Sequence, residues 1–455
     1  MRIQLNLKLL KQEIKQTAYL AIPISIGQLG HVLTGVADYT MLGHTNPTEM
    51  AGATFATSIF FPFMILGLGF ALGLTPLVAQ NNGSKSLSKM SELFKTGFKI
   101  NFFVGLVLFL FLLSLSTQLH ILNQPPEVVE VCKKYFLLIS ISIIPIMLFS
   151  ALKQFLEGLQ NTLTPMIISL TGNVINVLLN YFLIFDHGSF GGLGIEGAGW
   201  ATLIARSFMV ILFLSFYCWK KRLRDILFSV LNNVFQFDHL KEILNIGLPI
   251  SIYMFFEVTA FSAATFMMGW ISEAHIAAHQ AALSLASISF VVIMGVGNSG
   301  SIRTATYLGE QKIVGIKNVL LSVVIISLLL STLSAFVFMF FNDELPFLFV
   351  NSNESEIIEL ASCLLLYAAL FQFSDGLQVV FQGLLQGIGD VKIPSIIAAS
   401  SYWFVGIPLG YLLTFYTSIG YSGIWIGLTV GLTFSAILQI KRYVYSFKKL
   451  LAKIP

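Results

Sequence analysis

Charge is scarce in this chain. Of its 455 residues only 11% are Asp, Glu, Lys or Arg, against roughly 25% in soluble domains. With 56% hydrophobic residues and a mean hydropathy of +0.83, a water-soluble globule is excluded. Cysteine is scarce too: Cys132, Cys218 and Cys363 all fall in apolar stretches without CxxC spacing. A disulfide framework or zinc site is thereby disfavoured, and the three read as small packing residues. No HExxH, GxSxG or Walker A sequence occurs, and no polar segment is long enough for an ATPase domain. An enzyme is not expected, no ATPase subunit is implied, and any work must draw on ion gradients. There is no basic soluble domain to bind nucleic acid. The amino-terminal 17 residues are amphipathic and basic, but no short apolar core with a small-residue cleavage site follows, so no removable signal peptide is expected.

What the chain has instead is apolar runs of the length a bilayer needs, about 20 residues. They recur about twelve times, near 18–42, 51–80, 94–116, 131–156, 164–186, 193–219, 244–270, 276–307, 315–341, 357–386, 394–416 and 421–444. The basic residues between them are one-sided. Arg2, Lys8, Lys11 and Lys15 precede the first run; Lys85, Lys89, Lys95 and Lys99 follow the second; Lys220, Lys221, Arg222, Arg224 and Lys241 follow the sixth. Lys312, Lys317 and Lys392 continue the pattern, and Lys441, Arg442, Lys448, Lys449 and Lys453 close the chain. Because positive loops stay inside, both termini are expected in the cytoplasm of a multi-pass plasma (inner) membrane protein. Lys133 and Lys134 are the exception. The net charge of +4 is membrane topology expressed as composition.

The chain is written twice. PISI at Pro23 returns at Pro249, an offset of 249 minus 23, or 226, and Gly43, Ala51, Gly69, Ala79 and Gly83 fall on Gly269, Ala277, Gly295, Ala305 and Gly309 at the same offset. Gly194 and Gly197 fall on Gly420 and Gly423, while LKQFLEG at Leu152 answers LQVVFQG at Leu377 one residue out of step. An even number of spans per copy gives both copies the same orientation. The expected fold is therefore an all-α polytopic membrane protein of twelve transmembrane helices in two pseudo-symmetric six-helix lobes, 1–219 and 244–455. The joint at 220–243 sets a basic cluster beside Leu223, Leu227, Leu231 and Phe235 at helical spacing, as in a cytoplasmic interfacial helix. Duplicated bundles suit alternating-access transport, although channels can be duplicated too.

Three acids sit where a bilayer should forbid them: Asp38, Glu257 and Asp375. A charge at the centre of a spanning helix costs about 2.5 to 3.5 kcal/mol on insertion scales, so each is a candidate ion or proton site. Gly27, His31, Thr34 and Asp38 share one helix face. A packed seam explains the small residues of that stripe but explains a carboxylate poorly. Asn173, Asn176 and Asn180 form a second stripe, readable either as a hydrogen-bonded seam or as carbonyl oxygens for a hard cation such as Na⁺. In the seventh run Tyr253 precedes Glu257 by one turn, with Ala260 and Ala264 leaving room; in the tenth, Asp375 continues into Gln378, Gln382 and Gln386, a stripe able to line an aqueous cavity. Neither run contains a base, so Glu257 and Asp375 would take up a proton or exchange it for another cation. Position 31 is Glu257 minus 226: an imidazole stands where the second half has an acid, so His31 either serves proton coupling or bonds a backbone carbonyl. His275 and His279 have i, i+4 spacing without a third ligand, and no metal beyond Na⁺ is expected there.

GVADYTMLG at 35–43, NVINVLLN at 173–180, FFEV at 255–258 and FQFSDGLQVVFQGLLQGIGD at 371–390 resemble the multidrug and toxic compound extrusion (MATE) family, in its NorM-like branch, over nearly the whole chain. The resemblance implies two lobes forming a V and a secondary antiporter that exports amphipathic organic cations, drugs or dyes, in exchange for Na⁺ or H⁺. It implies no cofactor beyond that coupling ion, and function as a monomer among membrane lipids. Carried over by position, Glu257 and Asp375 match the carboxyl-terminal cation site of NorM-like members, and Asp38, Asn176, Asn180 and Thr202 match an amino-lobe site of the DinF-like branch. Asn180 stands where DinF-like members have a second aspartate. Phe371 replaces a tyrosine of some relatives, keeping a ring for cation attraction, so that Tyr253, Phe371, Gln378 and Gln382 are the expected cavity lining. Pro23 matches a proline whose bending is proposed in relatives. The alternatives are a flippase for a lipid-linked precursor and, more distantly, a membrane-embedded enzyme.

Overall fold

The structure, a computed structural model, describes residues 7–122, 124–186, 192–228, 230, 237–350 and 354–452. Among these, twelve helices are long and apolar enough to cross a membrane, and the protein is a multi-pass membrane protein. We label them α1 (Lys8–Gly43), α2 (Pro47–Gly83), α3 (Leu87–Ser116), α4 (Pro126–Gly158), α5 (Leu163–Ile184), α6 (Gly194–Trp219), α7 (Phe237–Gly269), α8 (Glu273–Gly309), α9 (Ile313–Phe340), α10 (Ser355–Gly387), α11 (Lys392–Tyr416) and α12 (Ser422–Leu451). Helices prevail because every backbone N–H and C=O in hydrocarbon must be satisfied within its own segment. Local signals set their ends. The Asn46 side chain accepts the N–H of Thr48 at 2.9 Å and Pro47 opens α2; Ser272 caps α8 through the N–H of His275. In the joint, a helix covers Lys221–Phe228 with Leu223 buried; Leu231 and Phe235, like Arg2 and Lys453, lie outside the described residues.

Packing groups the chain into two compact units, Ile26–Ser251 and, together, Met1–Ser25 with Ile252–Pro455. Each half-chain boundary is crossed by a helix that carries the PISI motif: α1 changes unit two residues after Pro23, and α7 two residues after Pro249.

Within the 26–251 unit, one apolar core runs from Leu42 through Phe94, Phe136, Phe155 and Phe213 to Ile243. The first part of α7 is fastened to α2. Ser251 Oγ donates to the Leu66 carbonyl at 2.5 Å, and a β-carbon at Gly73 would lie 2.5 Å from the Gly247 α-carbon. Only a pair of glycines permits that approach.

Within the other unit, α10 is the central helix, lying against α8, α9 and α12. Gly297, Gly383 and Gly387 let α8 and α10 touch backbone to backbone; a β-carbon at Gly383 would sit 2.2 Å from the Gly297 carbonyl oxygen. The first part of α1 packs on α8, where Ser25 Oγ donates to the Val292 carbonyl at 2.9 Å. Residues 25 and 292 are the repeat counterparts of 251 and 66, so the duplication visible in sequence is reproduced as the same contact in both units. Further along α1, Arg303 meets Glu13 in a buried ion pair, a feature with no charged counterpart at Leu77 in the other unit.

Candidate functional site

The second-half acids sit on two helices of one unit. Glu257 on α7 and Asp375 on α10 are 9% and 2% exposed and within electrostatic range of each other. Glu257 is linked to Gln378, one turn beyond Asp375 on α10, by a residue that sequence reasoning missed. The Tyr402 hydroxyl lies 2.7 Å from Glu257 Oε1 and 2.7 Å from Gln378 Oε1. A phenol carries one proton, so it cannot donate to both oxygens. Either the Gln378 amide is turned to donate to Tyr402, or Glu257 holds a proton and donates, with Tyr402 passing a hydrogen bond on to Gln378. Only the second arrangement requires a proton on Glu257 Oε1.

Local backbone chemistry aims Tyr402. Pro408 has no N–H and its ring clashes with the preceding turn in a regular helix. In α11 the strain is absorbed over Ser401–Gly406 by a π turn, in which the Ile407 N–H bonds the Tyr402 carbonyl. Such turns recur at functional sites because they rotate side chains out of helical register. Trp403, next along, donates Nε1–H to the Phe256 carbonyl at 3.0 Å, tying α11 to α7 beside Glu257.

Around this chain several oxygens lack partners. Asp375 Oδ2 is buried with no hydrogen bond, as are both amide atoms of Gln382. Among the described residues neither Glu257 nor Asp375 has an ion-pair partner. Two carboxylates, the Gln378 amide and the Tyr402 hydroxyl thus form a buried set of oxygens of the kind a hard cation takes. Tyr253 is within hydrogen-bonding reach of Gln386. Phe371 is elsewhere. It packs edge-on against Phe261 and Trp425, with centroids 6.1 and 5.7 Å apart, and at 3% exposure it belongs to the apolar core rather than to a cavity lining.

The first-half residues converge as a linear chain. Asn180 Nδ2 donates to Asp38 Oδ1 and to Asn176 Oδ1, the latter at 3.3 Å, and Asn176 Nδ2 reaches Thr202 Oγ1 at 3.5 Å. The Asn180 carbonyl oxygen is buried without a partner, an unused acceptor beside the carboxylate. Thr34 bonds back to the Gly30 carbonyl of its own helix, so it takes no part. Among the described residues His31 makes no hydrogen bond, which removes the backbone-carbonyl reading. His275 and His279 diverge to Tyr421 and Trp425, and among the described residues no three His, Cys, Asp or Glu side chains converge on a metal.

Tyr402 had a signal in the sequence: 402 is Asn176 plus 226, the repeat counterpart of a residue already in a polar stripe.

Twelve spanning helices, a duplicated chain and unpaired carboxylates held inside it define a polytopic membrane protein of the transporter class rather than an enzyme. The chain belongs to the MatE family, whose model matches residues 23–182 and 249–412. It is 31% identical over 447 residues to the probable multidrug resistance protein NorM of Xylella fastidiosa, covering 97% of this chain and 94% of that one. It is also 31% identical to the multidrug resistance protein NorM of Photobacterium profundum, covering 95% of each chain. A solved structure described as the outward-facing conformation of a multidrug resistance MATE family transporter of the MOP superfamily superposes with a TM-score of 0.87 at 20% identity, covering 100% of both chains.

Proposed function

We propose that the protein is a secondary antiporter of the plasma membrane, with both termini in the cytoplasm, that exports amphipathic organic cations in exchange for Na⁺ or H⁺. The observation that carries this is the pair Glu257 and Asp375, buried on two helices without a basic partner among the described residues. Unpaired carboxylates in hydrocarbon are costly, and the cost is lifted when a cation binds them. Coupling ion and drug then compete for the same charge, and neutralisation by the ion from outside favours release of the drug and return to the inward-facing state. One charge crossing 100 mV is worth about 2.3 kcal/mol, enough for a roughly fortyfold gradient at 1.4 kcal/mol per decade. Asp38 with Asn180, Asn176 and Thr202 is a second cation or proton site in the first half.

The test is efflux of a cationic dye from proteoliposomes with Na⁺ and pH gradients imposed separately, for wild type, Glu257→Gln, Asp375→Asn and Asp38→Asn. Loss of gradient-driven efflux in the first two variants is expected, and a response to one gradient alone identifies the coupling ion. Undiminished efflux in all three variants would sink the carboxylate mechanism.

A further inference from the structure

Arg206 is a cation the coupling chemistry does not use. It lies at the middle of α6, where an arginine is among the costliest residues for a spanning helix. Its guanidinium has two hydrogen-bond partners among the described residues. One terminal nitrogen donates to Ser142 Oγ at 2.7 Å, the other reaches the Met64 sulphur at 3.5 Å, and the Phe60 ring lies below at 5.5 Å. All of these neighbours are uncharged. Asp38 is in electrostatic range, but its described hydrogen bond goes to Asn180 and it forms no ion pair with Arg206. Among the described residues the guanidinium has no further acceptor and no ion-pair partner, and Arg206 is only partly buried, which leaves part of the side chain open to a ligand.

The fold itself does not require a cation there. The repeat counterpart, 206 plus 226, is Leu432, fully buried in α12, so the same helix position packs well as an aliphatic residue. A second donor stands near. His31, which makes no hydrogen bond among the described residues, is within electrostatic range of Arg206. Lys153, also in range of His31, is committed to Glu157 at 3.7 Å.

We propose that Arg206, assisted by His31, is a binding subsite for a carboxylate group in the first half of the protein. A planar guanidinium matches a carboxylate in two-point geometry, and a carboxylate is an anionic group that organic cations commonly carry. This rests on the efflux reading and deepens it: cations that also carry a carboxylate are held at both ends of their charge, the amine by the acids and the carboxylate by Arg206.

The experiment uses one chromophore in two forms, rhodamine B as the free acid and as its ethyl ester, in proteoliposomes of wild type, Arg206→Leu and Arg206→Lys. In Arg206→Leu the half-saturating concentration for the free acid rises at least about tenfold, the loss of one charge-assisted hydrogen bond, while that for the ester is unchanged; Arg206→Lys is intermediate. Sodium benzoate separates the two sources of carboxylate. If the group belongs to the exported compound, benzoate competes with the free acid and leaves the ester alone; if a separate anion binds, benzoate stimulates ester efflux in wild type and not in Arg206→Leu. Equal effects of Arg206→Leu on acid and ester, or no effect on either, overturn the proposal. Efflux of neither dye by wild type overturns the transport reading instead. The subsite is then still judged in detergent, where benzoate raises the melting temperature of wild type but not of Arg206→Leu if the subsite exists, and of neither if it does not.

Discussion

Replacing Arg303 by leucine tests how the first part of α1 is held. Arg303 is 4% exposed and directs its guanidinium hydrogen bonds to α1. It donates to the Glu13 carbonyl at 2.7 Å, Thr17 Oγ1 at 2.6 Å, Gln16 Oε1 at 2.9 Å and the Glu13 carboxylate. Tyr307 donates to the other Glu13 oxygen at 2.8 Å. Removing the arginine leaves Glu13 buried and unpaired, which costs about 3–5 kcal/mol. The contact belongs to the native state, so the loss appears mainly as faster unfolding, about a hundredfold to several thousandfold at 1.4 kcal/mol per decade. The assay is the half-life of folded protein in detergent at one fixed temperature. The double variant Glu13→Leu, Arg303→Leu should recover most of the loss, because apolar replacement of both members of a buried pair is often close to neutral. For the arginine the protein supplies its own precedent: its counterpart is Leu77, buried in an apolar core, while the counterpart of Glu13 is His239. A half-life for Arg303→Leu within about threefold of wild type, or a double variant no better than the single, would refute the reasoning.

Two further outcomes follow from backbone geometry. Gly73→Ala places a β-carbon 2.5 Å from the Gly247 α-carbon; with backbone on both sides, the crossing of α2 and α7 must widen, and a loss of about 1–3 kcal/mol should appear as a lower melting temperature, whereas an unchanged one would show the contact to be loose. Pro408→Ala permits a regular helix through Ser401–Gly406, which rotates Tyr402 away from Glu257. The melting temperature should hold or rise while gradient-driven efflux falls, and full efflux at raised stability would remove Tyr402 from the mechanism.

Much of this was legible in the residues. Hydrophobic length marks a spanning helix without help from its neighbours, so all twelve spans could be read from composition alone. The duplication was equally plain, because PISI and the glycines return in register. The three acids announced themselves through the cost of burying charge, and the i, i+3, i+4 rule brought Asn176 and Asn180 onto one face before any contact was known. Phe371 shows the limit. A ring in an apolar run serves a cavity or a core equally well, and only its seat between Phe261 and Trp425 decides for the core.

What the chain determined by itself was the number of its helices, their duplication and the presence of acids that could not stay unpaired in hydrocarbon without purpose, since each follows from local length, register or the price of a single charge. Tertiary structure decided who meets whom. Tyr402 reaches Glu257 only because a proline-induced π turn rotates it across a helix crossing, Arg303 finds Glu13 across 290 residues of chain, and α1 and α7 each divide their length between two packing units. Such meetings depend on how helices cross, and crossing is set by glycine contacts and kinks whose partners lie far away in sequence.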